Sequence, residues 1–188
     1  CEEVNREVAI MNSENKDIVL TNNQKDCINE ILNSNDRDYL LYGVTGSGKT
    51  EVYIELIKNM LSINKTSIVL VPEISLTPQI VSRFKNVFGS RVAVFHSSLS
   101  EGEKYDEYRR IMNNEVSIVV GARSAIFAPL KNIGLIIVDE CQSSTYKQEN
   151  TPKYNAINIA QKRAEFNNAK VIMGSATPLL EQYSRAKK

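Results

Sequence analysis

Gly43 to Thr50, GVTGSGKT, matches the phosphate-binding pattern G-x-x-x-x-G-K-[ST] and constrains the fold more than any other stretch of the chain. An apolar run, Tyr39-Leu40-Leu41-Tyr42, precedes it. Apolar residues at helical spacing, Val52, Leu56, Ile57, Met60 and Leu61, follow it. That order predicts a strand, a loop and a helix, the setting in which such a loop works. The loop glycines Gly43, Gly46 and Gly48 leave space for phosphates, and the N–H groups around Thr45 and Ser47 are expected to form an anion nest at the helix start. Lys49 is expected to meet the β- and γ-phosphates and the Thr50 hydroxyl to ligate Mg²⁺, so the loop predicts a site for a nucleoside triphosphate. The plain alternative is a glycine-rich surface turn with a solvated lysine.

The rest of the chain alternates in the same manner. Strands are expected at 38–42, 67–71, 91–95, 116–120, 134–138 and 170–174, all short, apolar and rich in Val and Ile, as strands covered on both faces are. Thr21 caps a helix carrying Cys27, Ile28, Ile31 and Leu32. Thr77-Pro78 opens another that Gly89 closes. Ser100 with Glu103 forms a capping box for a third, through Tyr105, Tyr108 and Met112. The expected fold class is α/β, a mostly parallel sheet with helices on both faces. Residues 1–20 are polar and irregular and read as a linker or docking segment, with one domain over 21–188.

A length of 188 residues suits one such domain, and a net charge of +1 confines any polyanion contact to a local patch. Cys1, Cys27 and Cys141 are too few and too scattered for a disulfide framework or a zinc site, which points to reduced thiols in the cytoplasm. No apolar run reaches the roughly 18 residues of a membrane span, and no signal peptide is evident. The chain opens on Cys1 and is expected to be part of a longer protein.

A phosphate loop needs a carboxylate on a neighbouring strand to hold its metal. Leu135-Ile136-Ile137-Val138 ends in Asp139-Glu140, where Asp139 is expected to reach Mg²⁺ and Glu140 to polarise the attacking water as general base. Two solvated acids at a strand end are the alternative. Gln24, well ahead of Lys49, carries an amide able to read an adenine edge with one donor and one acceptor. Gly174 to Pro178, GSATP, supplies hydroxyls after the last strand.

The order Gln24, phosphate loop, LVPEISLTPQ (70–79), GARSA (121–125), Asp139-Glu140 and SATP (175–178) resembles the motif order of superfamily 2 helicases. Longer strings narrow the match: GVTGSGKTEVY (43–53), HSSLS (96–100), GARSAIFAPL (121–130), STYKQEN (144–150), PKYNA (152–156) and GSATP (174–178) closely resemble the family of bacterial replication-restart helicases. The resemblance runs from Leu20 to about Tyr183. It implies the first RecA-like lobe of an ATP-driven 3′→5′ translocase acting on single-stranded and forked DNA. It also implies primosome and single-strand-binding proteins as partners, and a second RecA-like lobe in cis. By the same resemblance Arg123 and Ser124, with Thr77 and its neighbours, are expected to lie along single-stranded DNA. Lys147 is a lesser candidate for that surface.

One departure bears on mechanism. The family reads DEEH where this chain has Asp139-Glu140-Cys141-Gln142. The acids are kept, but the imidazole that couples nucleotide state to the SATP loop is replaced by Gln142, a donor and acceptor that cannot become charged. Coupling through Gln142, Ser175 and Thr177 is therefore expected to be retuned. Cys141 reads as a small buried residue before a reactive thiol, and His96 as a strand-end residue before a DNA contact. The Tyr105/Tyr108 pair reads as facing the core or an interface before stacking on bases.

The family's arginine finger comes from the second lobe and its zinc from a cysteine-rich module, both outside these residues. The 188 residues alone are thus expected to bind Mg-nucleotide weakly and hydrolyse it slowly. Three other readings compete: a lobe that only translocates on duplex DNA, a nucleotide-gated docking module, and, more remotely, a small-molecule kinase.

Overall fold

The structure, a computed structural model, describes residues 20–44 and 46–177. The expected linker or docking segment over 1–20 therefore lies outside the described residues apart from Leu20, as does Thr45 of the phosphate loop. The elements run α1 (Asn22–Asn33), β1 (Asp38–Tyr42), α2 (Lys49–Ser62), β2 (Thr66–Leu70), α3 (Pro78–Phe88), β3 (Val92–Phe95), α4 (Glu101–Met112), β4 (Ile118–Gly121), β5 (Ile133–Val138), β6 (Lys147–Gln148), β7 (Tyr154–Asn155), α5 (Ala156–Asn167) and β8 (Lys170–Ser175). Six strands form one sheet in the order β1-β8-β5-β2-β4-β3, and every neighbouring pair is parallel. The expected α/β class is met. The two-residue strands β6 and β7 pair antiparallel beside it.

Alternation along the strands sends side chains into two cores. Val69, Val94, Val120, Leu135, Ile137 and Ile172 face α1, α2 and α3, where Leu56, Ile57 and Phe84 are buried. Ile68, Leu70, Val119, Ile136, Val138 and Val171 face the other way, towards Ile111 of α4 and the alanines of α5. Helices thus cover both faces, and the strands read as continuous apolar runs because neither face meets water.

The expected caps are present. Thr21 and Gln24 form a capping box on α1, Ser100 and Glu103 one on α4, and the Thr77 hydroxyl accepts from the Ile80 N–H at the start of α3. The Tyr105/Tyr108 pair does not face the core. Tyr105 is 63% and Tyr108 47% exposed, because α4 packs on the edge strand β3 and turns Ile111 inward. Among the described residues no helix is long and apolar enough to cross a membrane.

Candidate functional site

In a fully parallel sheet the segments that follow the strands all leave from one edge, the edge where ligands bind. The strand order divides that edge in two. The segments after β1, β8 and β5 are the described part of the phosphate loop, Ser175-Ala176-Thr177 and DECQ, and they adjoin one another. The segments after β2, β4 and β3 are VPEIS, GARSA and HSSLS, and they fill the other half. The halves meet where the Asp139 N–H donates to the Leu70 carbonyl at 2.9 Å.

The phosphate loop leaves β1 with the Gly43 N–H bonded to the Ser175 carbonyl at 3.1 Å, so it is tied to β8 from its first residue. Gly48 caps α2 in the left-handed conformation at φ 82. That backbone conformation favours glycine, and a Cβ there would also push the Gln24 amide from its place. Gln24 itself accepts from the Thr21 N–H at 2.9 Å and donates to the carbonyls of Ser47 at 3.1 Å and Gly48 at 3.4 Å. Its amide, expected to face an adenine, is here holding the loop backbone.

Lys49 Nζ donates to the Gly43 carbonyl at 2.7 Å and lies 3.9 Å from Glu140 Oε1. Thr50 follows on the first turn of α2 and is half-buried. The loop lysine and the second strand acid are therefore close, although β8 lies between β1 and β5, so the acid strand is one removed from the phosphate-loop strand and not beside it as expected. Gly46 also has a positive φ, at 82.

Asp139 stands just past β5, with its carboxylate half-buried. Burial pushes its pKa up, and a hydrogen bond from the Tyr53 hydroxyl to Oδ1, at 2.9 Å, acts against that rise. Glu140 adopts φ 46, a left-handed conformation uncommon outside glycine. The turn aims its carboxylate at Gln142, whose Nε2 donates to Glu140 Oε2. The other end of the Gln142 amide accepts from the Ser175 hydroxyl at 2.6 Å, and Ser175 Oγ accepts from the Thr177 N–H at 3.1 Å. Glu140, Gln142, Ser175 and Thr177 thus form one hydrogen-bonded chain. Cys141 is 2% exposed between them, its N–H on the Gly174 carbonyl at 2.9 Å.

Across the edge, Ser124 is exposed and Thr77 half-buried with its hydroxyl engaged in the α3 cap. The Arg123 guanidinium donates to the carbonyls of Lys147 at 3.1 Å and Thr145 at 3.3 Å. It grips the STYKQ segment, while the Lys147 side chain is exposed. His96 is half-buried just past β3.

Two tyrosines at this site were not picked out from the sequence. Tyr53 is 1% exposed and reaches the Asp139 carboxylate; Tyr146 is 1% exposed and donates to the main-chain carbonyls of Asp139 at 2.5 Å and Leu70 at 3.1 Å. Tyr53 fell inside the quoted string GVTGSGKTEVY, and Tyr146 inside STYKQEN, but neither spacing nor chemistry separated them from packing residues.

A phosphate loop and a paired-acid strand on one edge of a parallel, two-sided sheet define a RecA-like P-loop lobe. The chain belongs to the DEAD/DEAH box helicase family, whose model matches residues 21–185. It is 60% identical over 162 residues to the replication restart protein PriA of Bacillus subtilis (strain 168), which takes in 86% of this chain and 20% of that protein. The PriA of Synechocystis sp. is 54% identical over 145 residues, 77% of this chain and 17% of its own length. The resemblance read from the motifs is therefore met, and the chain spans about a fifth of the length of these relatives. Among solved structures, the UvsW helicase of bacteriophage T4 shares the fold, with a TM-score of 0.66 at 22% identity over 93% of this chain and 58% of that one. RecG bound to a three-way DNA junction has a TM-score of 0.64 at 26% identity, covering 90% of this chain and 22% of that one.

Proposed function

We propose that this chain is the ATP-binding lobe, over 21–188, of an ATP-dependent 3′→5′ DNA helicase that acts at forked DNA in replication restart. The observation that carries the reading is the hydrogen-bonded chain from Glu140 through Gln142 and Ser175 to Thr177. It runs from the acid that would activate water to the loop that would sense bound DNA. Gln142 supports this link without an imidazole.

In this reading Gly43, Thr45, Gly46, Ser47 and Gly48 cradle the phosphates of ATP and Lys49 neutralises their charge. Its present carbonyl partner and its nearness to Glu140 suit a cation poised at that loop. Gln24 reads the adenine edge by exchanging one of its bonds to the loop. Thr50 and Asp139 would hold Mg²⁺, which supplies charge neutralisation at the transferred phosphoryl group when bound. Among the described residues no three acids, cysteines or histidines cluster as a metal cage. Mg²⁺ itself takes one or two carboxylates and completes its shell with phosphate and water. Glu140 accepts a proton from the attacking water. Arg123, Ser124 and Thr77, on the other half of the edge, meet the DNA backbone, and a second RecA-like lobe in cis closes the cleft. The parent acts in the cytoplasm with primosome and single-strand-binding proteins.

ATP turnover by a longer protein carrying the second lobe, with and without forked DNA, tests the reading. Strong stimulation by DNA that vanishes in Lys49→Ala is expected. Turnover indifferent to DNA would favour a nucleotide-gated docking module, and stimulation by duplex DNA without strand separation a translocase that does not unwind.

A further inference from the structure

The Tyr53 hydroxyl is deeply buried, and its partner is a carboxylate. It lies one turn into α2, 86 positions before Asp139, and donates to the Asp139 carboxylate rather than to a main-chain carbonyl. The approach is possible because residue 174 is glycine. A Cβ there would overlap the Tyr53 hydroxyl and come within 3.0 Å of Asp139 Oδ1. Three segments that each carry a nucleotide-site motif, α2, the end of β5 and the end of β8, therefore converge on one hydrogen bond. The main chain of Asp139 is fixed independently, by its N–H on Leu70 and its carbonyl under Tyr146. With the backbone anchored, the rotation of the carboxylate is the remaining freedom; a hydrogen bond from the Glu140 main chain and the Tyr53 bond to Oδ1 restrict it together, and Tyr53 is the side chain that does so.

We propose that Tyr53 is a positioning residue for the divalent cation of this lobe, setting the orientation in which Asp139 presents its carboxylate. The inference rests on the nucleotide-site reading above. Tyr53 touches neither nucleotide nor cation in this account; it acts through Asp139, as outer partners of metal-binding carboxylates do.

The test is equilibrium binding of a fluorescent ATP analogue to the full chain, in EDTA and across a MgCl₂ titration, with circular dichroism to verify folding. In Tyr53→Phe, the affinity in EDTA should stay within about twofold of wild type, while the tightening produced by Mg²⁺ should fall by about tenfold. Gly174→Ala, which displaces the hydroxyl and keeps the ring, should show the same selective loss. A Mg²⁺ response equal to wild type in both variants overturns the proposal. So does a parallel loss with and without Mg²⁺, the mark of a purely structural role. A wild-type chain that binds no analogue, or whose binding survives Lys49→Ala unchanged, overturns the nucleotide reading and this inference with it.

Discussion

Ser175 Oγ donates to Gln142 Oε1 at 2.6 Å, joining the end of β8 to the turn after β5 across 33 positions. Ser175 is fully buried, so neither partner is easily replaced by water. Truncating either residue strands the other, and the two effects should not add. Gln142→Ala and Ser175→Ala are each expected to cost about 1–3 kcal/mol, with an interaction of at least about 0.5 kcal/mol in the double-mutant cycle. Urea midpoints of the four proteins measure this. Strict additivity would mean that the two side chains do not cooperate.

Glu140 offers a cleaner comparison, because its strain and its chemistry can be separated. Its φ of 46 costs a non-glycine residue about 1 kcal/mol. Glu140→Ala and Glu140→Gly both remove the carboxylate, but only the second relieves the backbone. Glycine should therefore be the more stable of the two by about 1 kcal/mol, against the usual entropic penalty for glycine. Thermal unfolding of both variants checks the sign.

Arg123 holds two carbonyls of the segment that carries Tyr146, and Tyr146 in turn holds the Asp139 and Leu70 carbonyls. Arg123→Ala should loosen that segment more than it loosens the sheet. Faster amide exchange around residues 145–148 is expected, with a global loss of about 0.5–1.5 kcal/mol. If DNA phosphate also uses this side chain, the salt dependence of DNA binding by the longer protein should weaken by about one counterion.

The sheet was legible because its strands are buried on both faces and so appear as unbroken apolar runs. Ends were less so. The second strand is Thr66–Leu70 where 67–71 was expected, and the fourth is Ile118–Gly121 where 116–120 was expected. In that case Val116 is buried ahead of the strand, and burial alone made it look like part of it. Helix α5 went unread for a different reason: it packs through Ala156, Ala160 and Ala164, which keep helical spacing without forming an apolar stripe. Small side chains let the helix approach the sheet closely and leave little signal in composition.

The candidate site divides along similar lines. Lys49, Asp139 and Glu140 announce themselves because phosphate chemistry fixes both residue type and spacing. Tyr53 sits among the apolar residues of a helix and Tyr146 in a polar loop, so the sequence reads one as core and the other as surface. Their importance lies in partners 86 and 76 positions away, which no local pattern encodes. Gln24 and Arg123 were singled out as ligand-facing, and the structure gives both a further task on the backbone of neighbouring loops.

Calorimetric binding of MgATP to the chain, wild type beside Lys49→Ala, decides whether residues 43–50 hold a nucleotide. The wild type should bind, weakly for a single lobe, and Lys49→Ala should lose at least about tenfold, the effect of removing a charge-assisted contact worth about 1.5–3 kcal/mol. Equal binding by the two proteins, or none by either, would contradict the assignment of residues 43–50 as a working phosphate loop.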